Sequence, residues 1–167
     1  RWDGAGGETG ETMSDVIRVF VEKKPGFDVE AQHMKADLVE NLGMPVEDLK
    51  LLNRYDVSGL SREEFEAARG TIFSEPNVDT VYDEEYPLPE GYSVFAMECL
   101  PGQYDQRADS AAQCVQLLTF KPRPLVRCAT LYKLEGVTDA EFERVKNYLI
   151  NPVESREASL EKPETLA

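Results

Sequence analysis

The segment Gly59-Leu60-Ser61-Arg62-Glu63-Glu64-Phe65-Glu66 returns 77 residues later as Gly136-Val137-Thr138-Asp139-Ala140-Glu141-Phe142-Glu143. Four of the eight positions are identical, and Leu/Val and Ser/Thr are conservative exchanges. The same offset lays Tyr55 on Tyr132, Asp28 on Asp105 and Ala31 on Ala108. The pairs Pro25-Gly26 and Pro101-Gly102 match at 76 instead, so one residue was gained inside the second loop. Any one of these matches is within chance. Their common order of turn, helix, strand, glycine and capped helix points to an internal duplication. Two related units of about 70 residues follow, each too small to be more than marginally stable alone. The predicted fold class is α+β. Two pseudo-symmetric lobes, each of antiparallel or mixed strands packed with two helices, associate about a pseudo-twofold axis that could join their sheets.

Local patterns supply the elements. Residues 16–22 (VIRVFVE) are rich in β-branched side chains and read as a largely buried strand. Lys23-Lys24-Pro25-Gly26 signals a turn. Asp28 is placed as N-cap of a helix over 29–42, where Ala31, Met34, Leu38 and Leu42 recur at helical spacing and Gly43 ends the run. Residues 49–57 read as a second strand, Ser61 with Glu64 opens a capped helix, and 77–83 has the length of a short edge strand. After Tyr86-Pro87-Leu88-Pro89-Glu90-Gly91 the pattern restarts. It predicts a strand over 92–100, a turn at Pro101-Gly102, a helix over 105–118, a strand over 125–134, a helix over 138–150 and an extended segment near 154–159. The expected boundaries are a disordered leader or engineering remnant over 1–13, a first lobe over 14–85, a linker over 86–91, a second lobe over 92–160, and the start of a further linker over 161–167. Met13 is a candidate native start.

Composition excludes more than it identifies. Eighteen Lys and Arg against 32 Asp and Glu leave a formal net charge of −14. That is the wrong sign for a surface that neutralises nucleic-acid phosphates or docks on anionic lipid. Cys99, Cys114 and Cys128 are odd in number and lack C-x-x-C spacing. They argue against a disulfide framework or a common zinc site, and for reduced, mostly buried thiols in a cytoplasmic protein. His33 is the only histidine and is expected to be an ordinary helix residue. No apolar run approaches the roughly 18 residues of a membrane span, and the opening RWDGAGGETGET does not read as a signal peptide. A Walker loop, a G-x-G-x-x-G after a strand and an H-E-x-x-H are all missing. Asp83-Glu84-Glu85 is expected as a solvated loop, because no calcium-ligand pattern surrounds it. On its residues alone, the chain is an acidic, duplicated domain without catalytic apparatus.

Four stretches resemble one enzyme family. Val21-Glu22-Lys23-Lys24-Pro25-Gly26-Phe27-Asp28-Val29-Glu30-Ala31-Gln32 is similar to the start of the large single-chain phosphoribosylformylglycinamidine (FGAM) synthases of purine biosynthesis. Leu52-Asn53-Arg54-Tyr55-Asp56-Val57 is similar to their next strand, LPGQYDQRADSAAQ over 100–113 to their long signature stretch, and NPVESRE over 151–157 to the segment closing the domain. The resemblance covers nearly everything after Met13. It implies a PurS-like N-terminal domain, which in that family resembles a dimer of a small subunit that is a separate chain in multi-subunit versions. It thus implies an assembly scaffold within a ligase that uses ATP, magnesium and glutamine to convert formylglycinamide ribonucleotide to the amidine. Synthetase and glutaminase domains follow this region in the family, and the present sequence stops before either. The resemblance therefore implies no catalytic, cofactor-binding or metal-binding residue here. The fragment alone is expected to be inactive, and ATP and magnesium belong to the full-length enzyme. The expected partners are the synthetase and glutaminase domains of the same chain, with no nucleic acid and no membrane; self-association of the fragment stays open.

Within that reading the two Pro-Gly loops are the candidate site. Pro25, Gly26, Phe27 and Asp28 form the first, and Pro101, Gly102, Gln103, Tyr104, Asp105 and Arg107 the second. Each loop joins a strand end to a helix start, where backbone N–H groups are free to meet a partner or an anion. Arg107 is the strongest candidate, since a guanidinium matches a substrate phosphate or a partner carboxylate. The competing role is that Pro101 and Gly102 only make the turn while Arg107 covers the helix. The alternative function is a free-standing regulatory module binding a small ligand between duplicated lobes. An independent enzyme is the weakest reading, because one histidine and no cofactor motif leave little to build on.

Overall fold

Runs of β-branched and aromatic residues form strands, and amphipathic runs between them form helices, across residues 16–166, which the computed structural model describes. The leader expected over 1–13 lies outside the described residues. In chain order the elements are β1 (Ile17–Lys23), α1 (Val29–Asn41), β2 (Asp48–Ser58), α2 (Arg62–Arg69), β3 (Asp79–Asp83), β4 (Tyr92–Cys99), α3 (Gln106–Thr119), β5 (Leu125–Glu135), α4 (Asp139–Leu149) and β6 (Ser155–Ala158). Side-chain caps set several helix starts. Ser61 Oγ accepts from the Glu64 N–H at 3.1 Å, and Glu64 Oε1 accepts from the Ser61 N–H at 2.9 Å. Thr138 and Glu141 repeat this reciprocal box at 3.2 and 2.8 Å. Ahead of the second box, Gly136 has φ +86°, and a Cβ there would come within 2.6 Å of Glu47.

The strands make one sheet in the order β3-β1-β2-β5-β4-β6. Every pairing is antiparallel, so the fold is α+β with no mixed sheet. β2 and β5, each of 11 residues, meet at the centre, with Leu49 opposite Leu134, Asn53 opposite Thr130 and Val57 opposite Val126. The short strands β3 and β6 close the two edges.

Alternation along β2 sends Leu49, Tyr55 and Val57 to the helix side and Leu52, Arg54 and Asp56 to the other side. On the helix side the apolar clusters draw on both halves of the chain. Ile17, Val19, Val57 and Phe65 pack with Ala108, Ala111 and Val115 of α3. Leu38 of α1 and Leu49 pack with Phe95, Tyr132, Leu134 and Val145. Each of the two long helices therefore helps cover strands of the opposite half. A fully buried side chain such as Leu38, Phe65 or Phe95 contributes about 1.5–3 kcal/mol through burial, and much of that comes from contacts between halves.

The second face carries Phe20, Leu52, Ala96, Ala129, Leu131 and Ala158 with partly buried Tyr82 and Tyr86. Beside them Arg18 and Arg54 reach over to the terminal segment. Arg18 donates to the Leu160 and Glu161 carbonyls at 2.9 and 3.2 Å, and Arg54 to the Ser159 carbonyl at 2.8 Å. One expectation needs correcting: Cys128 is buried, but Cys99 and Cys114 are exposed. Cys99 ends a strand next to the second loop, and Cys114 lies on the outward side of α3, so their small apolar side chains are not drawn into the core. His33 sits on α1, as expected.

Candidate functional site at the two Pro-Gly loops

The loops are built alike. The Phe27 N–H donates to the Lys24 carbonyl at 2.9 Å, and the Gln103 N–H to the Leu100 carbonyl at 3.0 Å. Proline holds the second position of each turn, and glycine the third, with φ +93° at Gly26 and +89° at Gly102. This is the type II geometry, whose third position disfavours any side chain. The turns feed β1 into α1 and β4 into α3.

Their aspartates then diverge. Asp105 Oδ1 accepts from the Ala108 N–H at 3.1 Å and caps α3. Asp28 makes no such cap. It accepts instead from Gln32 Nε2 at 3.1 Å and from the Gly26 N–H at 3.3 Å, with Lys50 Nζ 3.7 Å away. The Gln32 hydrogen bond, helped by loop N–H groups and Lys50, holds the Asp28 carboxyl below its ordinary range. The first-turn N–H groups of α1 are thus left without a side-chain cap.

Two cavities open at the loops on the helix side of the sheet. The first, of about 340 Å³, is bordered by Phe27, Asp28, Glu30, Asn53, Tyr55, Asp79 and Arg107. The second, of about 330 Å³, is bordered by Cys99, Gln103, Tyr104, Asp105, Arg107 and Thr130. Arg107 and Thr130 line both. The structure therefore brings Phe27 and Asp28 of one loop and Gln103, Tyr104 and Asp105 of the other to a shared wall at Arg107. Pro25 and Gly26 stay outside the first cavity, while Pro101 and Gly102 border a third, smaller one beside Cys99 and Cys128.

Arg107 is exposed, in the first turn of α3, and among the described residues it has no ion pair or hydrogen bond. A cation there opposes the helix dipole, so its position does not serve the helix. Phe27 and Tyr104, the residues after each glycine or one beyond, are 52% and 70% exposed. Such apolar exposure at a loop tip suits a surface that meets something else. The Tyr104 hydroxyl donates to Asp109 at 3.0 Å, which raises its pKa.

The inner wall is polar but not reactive. Burial pushes the Tyr55 hydroxyl up to about 12, and the Cys128 thiol well above its ordinary value. Neither is a base or nucleophile near neutral pH. Asp79 Oδ2 accepts from the Glu75 N–H at 2.8 Å, while Oδ1 lies 3.1 Å from Lys23 Nζ. This arrangement can bind and orient; no nucleophile–base pair stands in it. Asn53, Thr130 and Asp79 were not singled out from the sequence. Asn53 and Thr130 occupy the strand phase that otherwise sends apolar residues to the helices, and that break in alternation was the available signal.

The Asp83-Glu84-Glu85 loop is ion-paired rather than simply solvated. Asp83 accepts from Arg69 at 3.0 and 2.7 Å, and Glu84 meets Lys162 and Arg62. No helix among the described residues is long and apolar enough to cross a membrane. Compared with known proteins, the chain matches no family model and no curated protein.

Proposed function

We propose that this chain is the PurS-like N-terminal assembly domain of an FGAM synthase, the ATP- and glutamine-dependent ligase that converts formylglycinamide ribonucleotide to the amidine. The observation that carries the reading is the sheet register. Val21 pairs with Asn53, and Met97 pairs with Thr130. The outer partners are thus 76 residues apart and the inner ones 77, the two offsets already seen in the Pro-Gly turns and the capping boxes. Asn53 and Thr130 also face each other in the central ladder, so a twofold relation between halves would pass between them. This supports duplication of a three-strand, two-helix unit, which is what two fused copies of a small subunit would give.

The domain's role in this reading is mechanical. It holds the synthetase and glutaminase domains of the same chain in register, in the cytoplasm, so that ammonia passes between them without loss to water. The two cavities would lie on either side of the twofold relation. Arg107 between them offers a guanidinium to a partner carboxylate or a substrate phosphate. No residue of this stretch is assigned to ATP, magnesium or glutamine hydrolysis. Reading the coding sequence past Ala167 tests the proposal. A frame running on into an ATP-binding synthetase domain and a glutaminase domain supports it, and a stop codon at that point overturns it.

The paired cavities favour a second reading, a regulatory module that binds a small ligand at the loops. A thermal-shift screen of the chain against metabolites discriminates, since a ligand bound there raises Tm by mass action and loses its effect in Arg107→Ala.

A further inference from the structure

We propose that the sheet face opposite the helices holds a site for a small phosphate-class oxyanion, bound by Arg54 and Arg127 in a cavity roofed by residues 159–163. The cavity measures about 360 Å³ and takes its walls from β1, β2, β4, β5, β6 and the terminal segment. It holds no Pro-Gly loop residue itself, adjoins the small cavity at Pro101 and Gly102 through Arg127 and Cys128, and does not depend on the assembly role.

Charge accounting within the cavity leads there. Arg18 and Arg54 are 2% and 5% exposed, and Asp56, at 4%, is the buried carboxylate beside them. Asp56 is taken by Arg18, whose Nε and Nη2 donate to its two oxygens at 2.7 and 2.9 Å. Arg54 makes a longer ion pair of 4.0 Å with Asp56 and, among the described residues, otherwise donates only to the Ser159 carbonyl. The other wall acids have partners: Glu98 holds Arg156 at 2.7 Å, and Glu157 holds Lys146 at 3.3 Å. Exposed Arg127 contributes a long contact of 3.5 Å to the Leu166 carbonyl. Arg54 and Arg127, the latter opposite Asp56 in the ladder, are thus left with Asp56 and Glu98 only as carboxylates shared with Arg18 and Arg156, and with Glu161 in the roof.

A buried cation that must share its nearest carboxylate, as Arg54 shares Asp56 with Arg18, is costly. Burial, and then repulsion from Arg18, pull the Arg54 pKa down, yet a guanidinium does not shed its proton near neutral pH. An anion is the relief open to it. The guanidinium fork matches two oxygens of a phosphate. The roof over 159–163 leaves room for a small group rather than a strand or helix.

The experiment titrates the chain with inorganic phosphate and, separately, with glycerol 3-phosphate, against sodium chloride at matched ionic strength. Thermal unfolding and phosphorus NMR line width report binding. A saturable rise in Tm is expected. Arg127→Gln, at an exposed position, keeps the Tm without phosphate and raises the half-saturating concentration about tenfold, the loss of one charge-assisted contact. Arg54→Lys, which keeps the charge but not the fork, weakens binding in the same sense. Tighter binding of glycerol 3-phosphate marks a phosphomonoester as the occupant, and tighter binding of phosphate marks the free ion. No saturable response to either probe, or binding unchanged in Arg127→Gln, overturns the proposal.

Discussion

Arg18 and Asp56 are register partners on β1 and β2, and guanidinium and carboxylate meet through two hydrogen bonds of 2.7 and 2.9 Å with both side chains buried. The same guanidinium holds the Leu160 and Glu161 carbonyls. One cross-strand pair thus ties two inner strands of the sheet to the terminal segment lying over them.

Removing the acid alone is predicted to cost more than removing the pair. Asp56→Asn leaves Arg18 and Arg54 buried without a carboxylate and lowers stability by about 3–5 kcal/mol. Arg18→Met combined with Asp56→Leu recovers part of that loss, because the desolvated charges are gone. Urea unfolding of the three proteins decides it: a double variant at least as unstable as Asp56→Asn contradicts the ion-pair account.

Neither half is predicted to fold by itself. Leu38 of α1 shares a cluster with Phe95, Leu134 and Val145, and Val115 of α3 shares one with Val19, Val57 and Phe65. Residues 16–91 alone would leave both α1 and the inner side of β1 and β2 without much of their cover. Circular dichroism of each half should show no cooperative melt, and mixing the halves should restore one. A cooperative melt in either half alone contradicts the shared cores.

Alkaline pH is predicted to unfold the protein through two tyrosines. Burial raises the hydroxyls of Tyr55 and Tyr132 from 10.0 to about 12. Between those values the folded state keeps protons that the unfolded chain releases, so raising the pH favours unfolding. Their contribution is full below pH 10, is lost as the pH climbs from 10 to about 12, and amounts to at most about 2–3 kcal/mol each. Tyr55→Phe with Tyr132→Phe should flatten the fall of stability over that range. An unchanged slope contradicts the assignment.

Much of this architecture is legible in the residues because its signals are local. The β-branched run at 16–22, the Pro-Gly turns and the Ser61–Glu64 and Thr138–Glu141 boxes each act within a few residues, and they place the element ends within one or two positions. What escapes depends on partners far along the chain. Arg18 in VIRVFVE looks like an uncompensated cation in a buried strand until Asp56 and the carbonyls of Leu160 and Glu161 are beside it. The crossing of α1 and α3 onto opposite halves is equally hidden, since an apolar stripe says that a helix is covered but not by what. Arg107 was legible as a candidate from its residue type and loop. Its place in the wall of both cavities, next to Thr130, needed the pairing of β2 with β5.

The most direct test of the proposed assembly role joins Arg107 to the chemistry of the proposed full-length FGAM synthase. In full-length protein, glutamine hydrolysis and amidine formation are measured together for wild type and Arg107→Ala. The account predicts that hydrolysis outruns amidine formation in the variant, or that the KM for the ribonucleotide rises, by about tenfold for one lost charge-assisted contact. A variant with wild-type KM and one glutamine hydrolysed per amidine formed, as in the parent, would contradict it.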